Sequence, residues 1–126
     1  MKQNELRVGN YVSHPRKKID TIKGVNSNDH GYYATFDNTH EGYYFENEGF
    51  EQVSGIPITK EWLLKFGFKF EAPFYRNDTF QAKKDKDSFL VYQFSDFLRR
   101  VYYVHQFQNL YFALTGQELE AVEPTE

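Results

Sequence analysis

The stretch VYYVHQFQNLYFALTGQELE, Val101–Glu120, decides how this chain is read. At the helical rotation of about 100° per residue, Val104, Phe107, Leu110, Tyr111 and Leu114 fall within one arc of about 120°. That predicts a helix from Val104 to Thr115 with this stripe on a core. Gly116 is its stop, since a residue without Cβ takes the left-handed backbone that ends helices. His105, Gln108, Asn109 and Phe112 form a second, adjacent stripe. No charged residue occurs from Val101 to Gln117, a pattern poorly suited to full exposure in water. The second stripe is therefore expected to be covered, by the other half of the chain or by a partner. It is the candidate interaction surface. His105 has no carboxylate or nucleophile beside it in sequence, so packing is expected of it and not general-base catalysis.

Working backwards from this helix, the chain reads as a β-meander. Phe68–Glu71, Phe74–Arg76, Thr79–Lys83, Ser88–Phe94 and Phe97–Tyr103 are separated by Ala72-Pro73, Asn77-Asp78 and Lys84–Asp87, all turn chemistry. Before the meander, IPITKEWLLKFGF (Ile56–Phe68) is a compact helix signal. Thr59 is the expected N-cap, and Glu61 sits in the first turn, where the helix dipole favours an acid. Ile58 and Leu63 are spaced as a hydrophobic staple, and Gly67 is the stop. Residues 60–66 should make about two turns, with Trp62, Leu63 and Phe66 buried.

Ser54-Gly55-Ile56-Pro57 breaks the pattern and is the expected boundary. The first half reads as short strands: Leu6–Ser13, Lys18–Val25, Tyr32–Phe36, Tyr43–Phe45 and Phe50–Val53. The turns between them fall at His14-Pro15, Asn26–Gly31 and Asp37–Gly42. Short strands at regular spacing suggest a small curled antiparallel sheet or barrel.

Composition supports a folded domain: 40% of the 126 residues are hydrophobic and 26% charged. Aromatic residues reach 19%, with 13 Phe and 10 Tyr. Rings bury much area per residue, which suits a small β-rich core. The net charge is −3, which argues against attachment to nucleic acid by bulk charge alone. The distribution is uneven. Residues 118–126 hold four glutamates and no base, while residues 56–117 hold nine Lys/Arg against six Asp/Glu. With no cysteine, disulfides, thiol chemistry and Cys-type zinc sites are excluded. No apolar run approaches the ~20 residues of a membrane span, and the N-terminus lacks a signal core. A cytoplasmic protein without membrane attachment is expected.

Strong enzymatic signatures are lacking: no phosphate-binding glycine loop, no paired-histidine metal motif and no nucleophile elbow. His30 and His40 lie in successive turns beside Asp29 and Glu41. Successive turns of a meander fall at opposite ends, so no metal site is expected of them. No catalytic residue, metal ligand or cofactor is assigned, and the chain is expected not to be an enzyme. A Tyr-rich first half next to Arg16-Lys17-Lys18 carries an alternative. Arg16, Lys17, Lys18, Tyr32 and Tyr43 would hold phosphates and stack bases if their rings face outward. Alternation sends one member of each Tyr-Tyr pair to the core.

NELRVGNYV at Asn4–Val12, IPITKEWLLKFGF at Ile56–Phe68 and YVHQFQNLYFALTGQELE at Tyr103–Glu120 resemble a family of small uncharacterised proteins. These occur in Bacteroidetes-type genomes, prophages and other mobile elements. The resemblance spans nearly the whole chain and implies a context, an accessory protein of phage or mobile-DNA origin. It brings no assigned activity and no functional residues. The opening strand also resembles the SH3-like barrels of other phage proteins.

The expected fold is α+β and mainly antiparallel. Residues 1–54 form an SH3-like barrel or curled sheet, and residues 55–120 a helix, meander and closing helix packed with it. Residues 121–126 form an acidic, disordered tail. The expected function is a non-enzymatic binding or accessory module, protein-binding or self-associating, with nucleic-acid binding through the N-terminal sheet as the alternative.

Overall fold

The computed structural model describes residues 5–37, 42–45 and 52–121. His40, Phe50 and residues 122–126 of the expected tail lie outside the described residues. The fold is α+β and mostly antiparallel. The chain divides into two compact units, Met1–Ile56 and Pro57–Glu126.

In the first unit, β1 (Tyr11–His14) pairs antiparallel with β2 (Lys17–Thr21). A second sheet runs in the order β3 (Gly24–Asn28), β4 (Gly31–Thr35), β5 (Tyr43–Tyr44). The first strand starts later than the sequence suggests because Gly9, at φ 100°, turns the chain, and its N–H bonds Ile22 O at 2.9 Å. Asn26–Asn28, expected in a turn, are strand instead. Cross-strand pairing to Tyr33, Tyr32 and Gly31 satisfies their backbone groups, and the turn tightens to Asp29–His30. Ser13 and Ser54 exchange two backbone bonds of 2.9 and 2.8 Å, and Val53 N–H bonds Tyr44 O at 3.2 Å. Residues 52–54 thus touch both sheets, but the ladders remain two separate sheets without a closed barrel among the described residues. The core joins Leu6, Val12, Ile22, Phe36, Phe45 and Val53, with Ala34 and Tyr43.

In the second unit, α1 (Lys60–Lys65) follows Thr59. Thr59 is extended, as an N-cap should be, yet its side chain makes no cap bond. The staple residues Ile58 and Leu63 are both buried. One five-stranded antiparallel sheet follows: β6 (Lys69–Glu71), β7 (Phe74–Arg76), β8 (Gln81–Asp85), β9 (Ser88–Gln93) and β10 (Asp96–Val101), each beside its sequence neighbour. The strand of β8 reaches Asp85, past its expected end at Lys83. Lys84 pairs with Phe89 and Asp85 with Ser88, which leaves a two-residue turn at Lys86-Asp87.

The last helix, α2, runs from Val104 to Thr115 and ends at Gly116, whose φ is 73°. At its start, Gln106 Oε1 accepts from the N–H groups of Tyr102 and Tyr103 at 2.8 and 3.2 Å. This satisfies two donors that the helix itself leaves open. Phe107 is the hub of the core, with Phe68, Phe66 and Phe80 at centroid distances of 5.4, 6.3 and 6.4 Å. Tyr111 meets Phe80 edge-on at 5.2 Å. The buried arc is rotated from the predicted stripe. It holds Val104, His105, Phe107 and Gln108, whereas Leu114 is exposed.

The rotation has a local cause. After Gly116 the chain returns along the helix and buries Leu119, whose carbonyl accepts from Gln108 Nε2 at 3.4 Å. His105, only 2% exposed, stacks with Tyr103 at 5.7 Å and an interplanar angle of 13°.

Candidate functional site

The centre of the five-stranded sheet alternates, although Phe70, paired with Tyr75, and Lys84, paired with Phe89, are exposed on the side of their buried partners. Tyr75, Ala82, Val91 and Phe89 point to the buried face, so their neighbours point the other way. Cross-strand pairing then lays out two rows over all five strands on the open face. The first row is Lys69, Arg76, Gln81, Tyr92 and Phe97; the second is Glu71, Phe74, Lys83, Leu90 and Arg100. A register shift between Phe97 and Arg99 in β10 keeps Phe97 and Arg100 on this same face, opposite Tyr92 and Leu90. Without that bulge, one of them would point to the other face.

Rings and cations are interleaved there. Phe74 meets Tyr92 at 5.9 Å and 90°, and Tyr92 meets Phe97 at 5.5 Å and 64°. The Arg76 guanidinium lies 5.6 Å from the Phe74 centroid. Phe97 is 55% exposed, a large apolar surface to leave in water. Beyond it, at the β9–β10 turn, Phe94 is 77% exposed at φ 58°.

Of the cations in the two rows, Arg100 is ion-paired, to Asp85, and also donates to Ser88 Oγ at 2.8 Å. The hydrogen bond from Arg100 holds the Asp85 carboxyl below the ordinary carboxylate range. The same bond raises the guanidinium's affinity for its proton. Among the described residues Lys69, Arg76 and Lys83 form no ion pair. Lys69 and Arg76 also line a cleft of about 510 Å³ with Glu71, Asp78, Tyr111 and Gln117. Its wall is set by Asn77, whose Oδ1 accepts from the N–H groups of Thr79 and Phe80 at 2.9 and 2.7 Å.

The residues expected from sequence fare differently. Of the second stripe of α2, His105 and Gln108 are buried within the folded chain, Asn109 is half-buried, and Phe112 is exposed. The four do not form one accessible surface, because Leu119 and its carbonyl occupy the Gln108 position of the stripe. Arg16, Lys17 and Lys18 are exposed at the β1–β2 turn, and Tyr32 is exposed on β4. Tyr43 is a correction. It is 6% exposed, and its ring stacks on His14 at 4.7 Å and 14°. Its pairing with buried Ala34 turns it to the core, so its face is not open to a base. The outward pair is Tyr33 and Tyr44, which meet edge-on at 5.9 Å.

A buried polar group also emerges in the first unit. His14 Nε2 lies 2.9 Å from Asp20 Oδ2, and its Nδ1 accepts from the Arg16 N–H at 3.2 Å. The ring sits against Phe36 at 4.3 Å as well as Tyr43. No side-chain nucleophile bonds to this pair among the described residues. It reads as a core histidine satisfied on both nitrogens.

The open sheet face is the set of residues that sequence reasoning missed. Its signal was present as alternation: Phe74 and Arg76, Gln81 and Lys83, Leu90 and Tyr92 are each two apart. The described residues contain no group of three or more His, Asp or Glu placed to hold a metal ion, and no helix long and apolar enough to cross a membrane. No protein-family model matches the chain, and neither a curated protein nor a solved structure matches it.

Proposed function

We propose that this chain is a non-enzymatic binding module whose partner lies across the open face of the five-stranded sheet. The observation that carries the reading is the ladder of Phe74, Tyr92 and Phe97 on that face, with Phe97 more than half exposed. Exposed rings on a rigid sheet supply large contact area at low entropy cost, since the backbone beneath them is already ordered. Binding through the second stripe of α2 has less support, because two of its four residues are buried inside the chain.

The first unit is read as a small SH3-like module left open. The Ser13–Ser54 bridge and the Val53–Tyr44 bond, which tie residues 52–54 to both sheets, support that kinship. The phage or mobile-element context, and a role as an accessory protein there, rest on the three resembling sequence blocks.

The test is a pull-down from the native host with the wild-type chain and the Tyr92→Ala/Phe97→Ala double variant, with and without nuclease. A partner held by the wild type and lost by the variant is expected. Equal recovery by both would remove the sheet face as the binding surface.

A further inference from the structure

We propose that the open sheet face binds single-stranded nucleic acid, with Phe74, Tyr92 and Phe97 stacking bases and Lys69, Arg76 and Lys83 holding phosphates. The inference rests on the binding-surface reading above and names the chemistry of the occupant. Charge complementarity selects it. The chain carries a net charge of −3, yet the two rows hold four cations and a single acid, Glu71. Asp85, in the adjacent row, is neutralised by Arg100. Glu71 is thus the one acid in the two rows to set against three cations without an ion pair, and these lie among the rings.

Geometry fits the same occupant. Phe74, Tyr92 and Phe97 stand on β7, β9 and β10. At about 4.8 Å per strand they span roughly 14 Å across the sheet, room for successive unstacked bases. Lys69 and Arg76 pair across β6 and β7 beside Phe74, so a backbone leaving the rings at that side meets two cations. A duplex hides its base faces and offers the rings nothing, and the negative chain as a whole disfavours its dense charge. Stacking on rings accepts any base, so weak sequence preference follows.

The test is fluorescence anisotropy of the purified full chain with labelled oligo-dT and oligo-rU of about twelve nucleotides, and with a matched duplex. Both single strands should bind in preference to duplex, or one of them if the natural ligand is only DNA or only RNA. With about three phosphates neutralised, affinity should fall roughly 20-fold between about 50 and 200 mM salt. Tyr92→Ala and Phe97→Ala should each weaken binding by roughly 5- to 100-fold. Arg76→Gln with Lys83→Gln, both exposed and distant from the core, should flatten the salt dependence. Circular dichroism of each variant checks that it is folded.

Absence of single-strand binding at low salt, tighter binding of duplex, or full affinity in the folded ring variants would overturn the proposal. If oligonucleotides fail while the ring double variant still loses a partner from nuclease-treated lysate, the ligand class is wrong and the surface stands. If oligonucleotides bind but neither ring nor cation variants matter, the surface itself is wrong.

Discussion

The side-chain amide of Gln108, buried on α2, donates to the carbonyl of Leu119 in the segment that returns along the helix. This contact closes the stripe that would otherwise be uncovered. Leu119 is buried at 5% exposure, and truncating a buried leucine typically costs about 2–4 kcal/mol. Leu119→Ala should lower the unfolding free energy in urea by that amount. An unchanged midpoint would mean that the returning segment is not docked in solution.

The His14–Asp20 pair makes a second expectation about structure. His14 Nδ1 accepts a backbone N–H, so the ring proton belongs on Nε2, where Asp20 accepts it. Ring nitrogen shifts in NMR spectra should report the Nε2–H tautomer. Asp20→Ala leaves that buried donor without its acceptor, at about 1–3 kcal/mol. Asp20→Asn keeps an oxygen acceptor and should cost less. Equal losses in the two variants would indicate that the hydrogen bond contributes nothing.

Asp85 and Arg100 predict an acid dependence. The Arg100 hydrogen bond depresses the Asp85 carboxyl below its ordinary value of 3.8. A carboxylate depressed on folding binds its proton more weakly in the folded than in the unfolded chain. Its stabilising contribution is therefore present above 3.8 and is lost as pH falls through the lower folded value. The pair is solvent-accessible, so salt should weaken the effect. In thermal melts, Asp85→Asn should reduce the fall in Tm below pH 4 relative to wild type. Parallel pH profiles for the two proteins would count against this pairing in solution.

Lys86 occupies the tip of the β8–β9 hairpin at φ 58°. A side chain in the left-handed region costs about 1–2 kcal/mol, partly offset by the greater entropy glycine loses on folding. Lys86→Gly should raise stability by up to about 1 kcal/mol. Lys86→Val, branched at Cβ, should lower it. A destabilised glycine variant would argue that the lysine makes a contact in solution that outweighs its backbone strain.

Much of the second unit follows from neighbours in sequence. The span of α2 is set by its apolar period and by Gly116, and β7 runs from Phe74 to Arg76 as alternation and the flanking turns predict. Such elements depend on local hydrogen bonding, capping and turn chemistry, which a short window contains. The N-terminal strands were less legible because Asn and Ser at 26–28 favour turns locally, and only pairing with β4 holds them extended.

The candidate surface needed the tertiary structure. Alternation in the meander separates Phe74, Tyr92 and Phe97 from Tyr75, Val91 and Phe89, but it does not say which set is covered. Strand register and the bulge after Phe97 bring the first set into adjacent rows, while the second is buried, with Tyr75 meeting Phe89 edge-on. Likewise, only pairing with Ala34 decides that Tyr43 turns inward and Tyr44 outward, and only the returning segment decides that Gln108 is buried. Sequence by itself determined where the chain bends and which residues share a face, because those follow from bonds a few residues apart. Which face meets water was decided by contacts between residues far apart in sequence, and these exist only once the chain has folded.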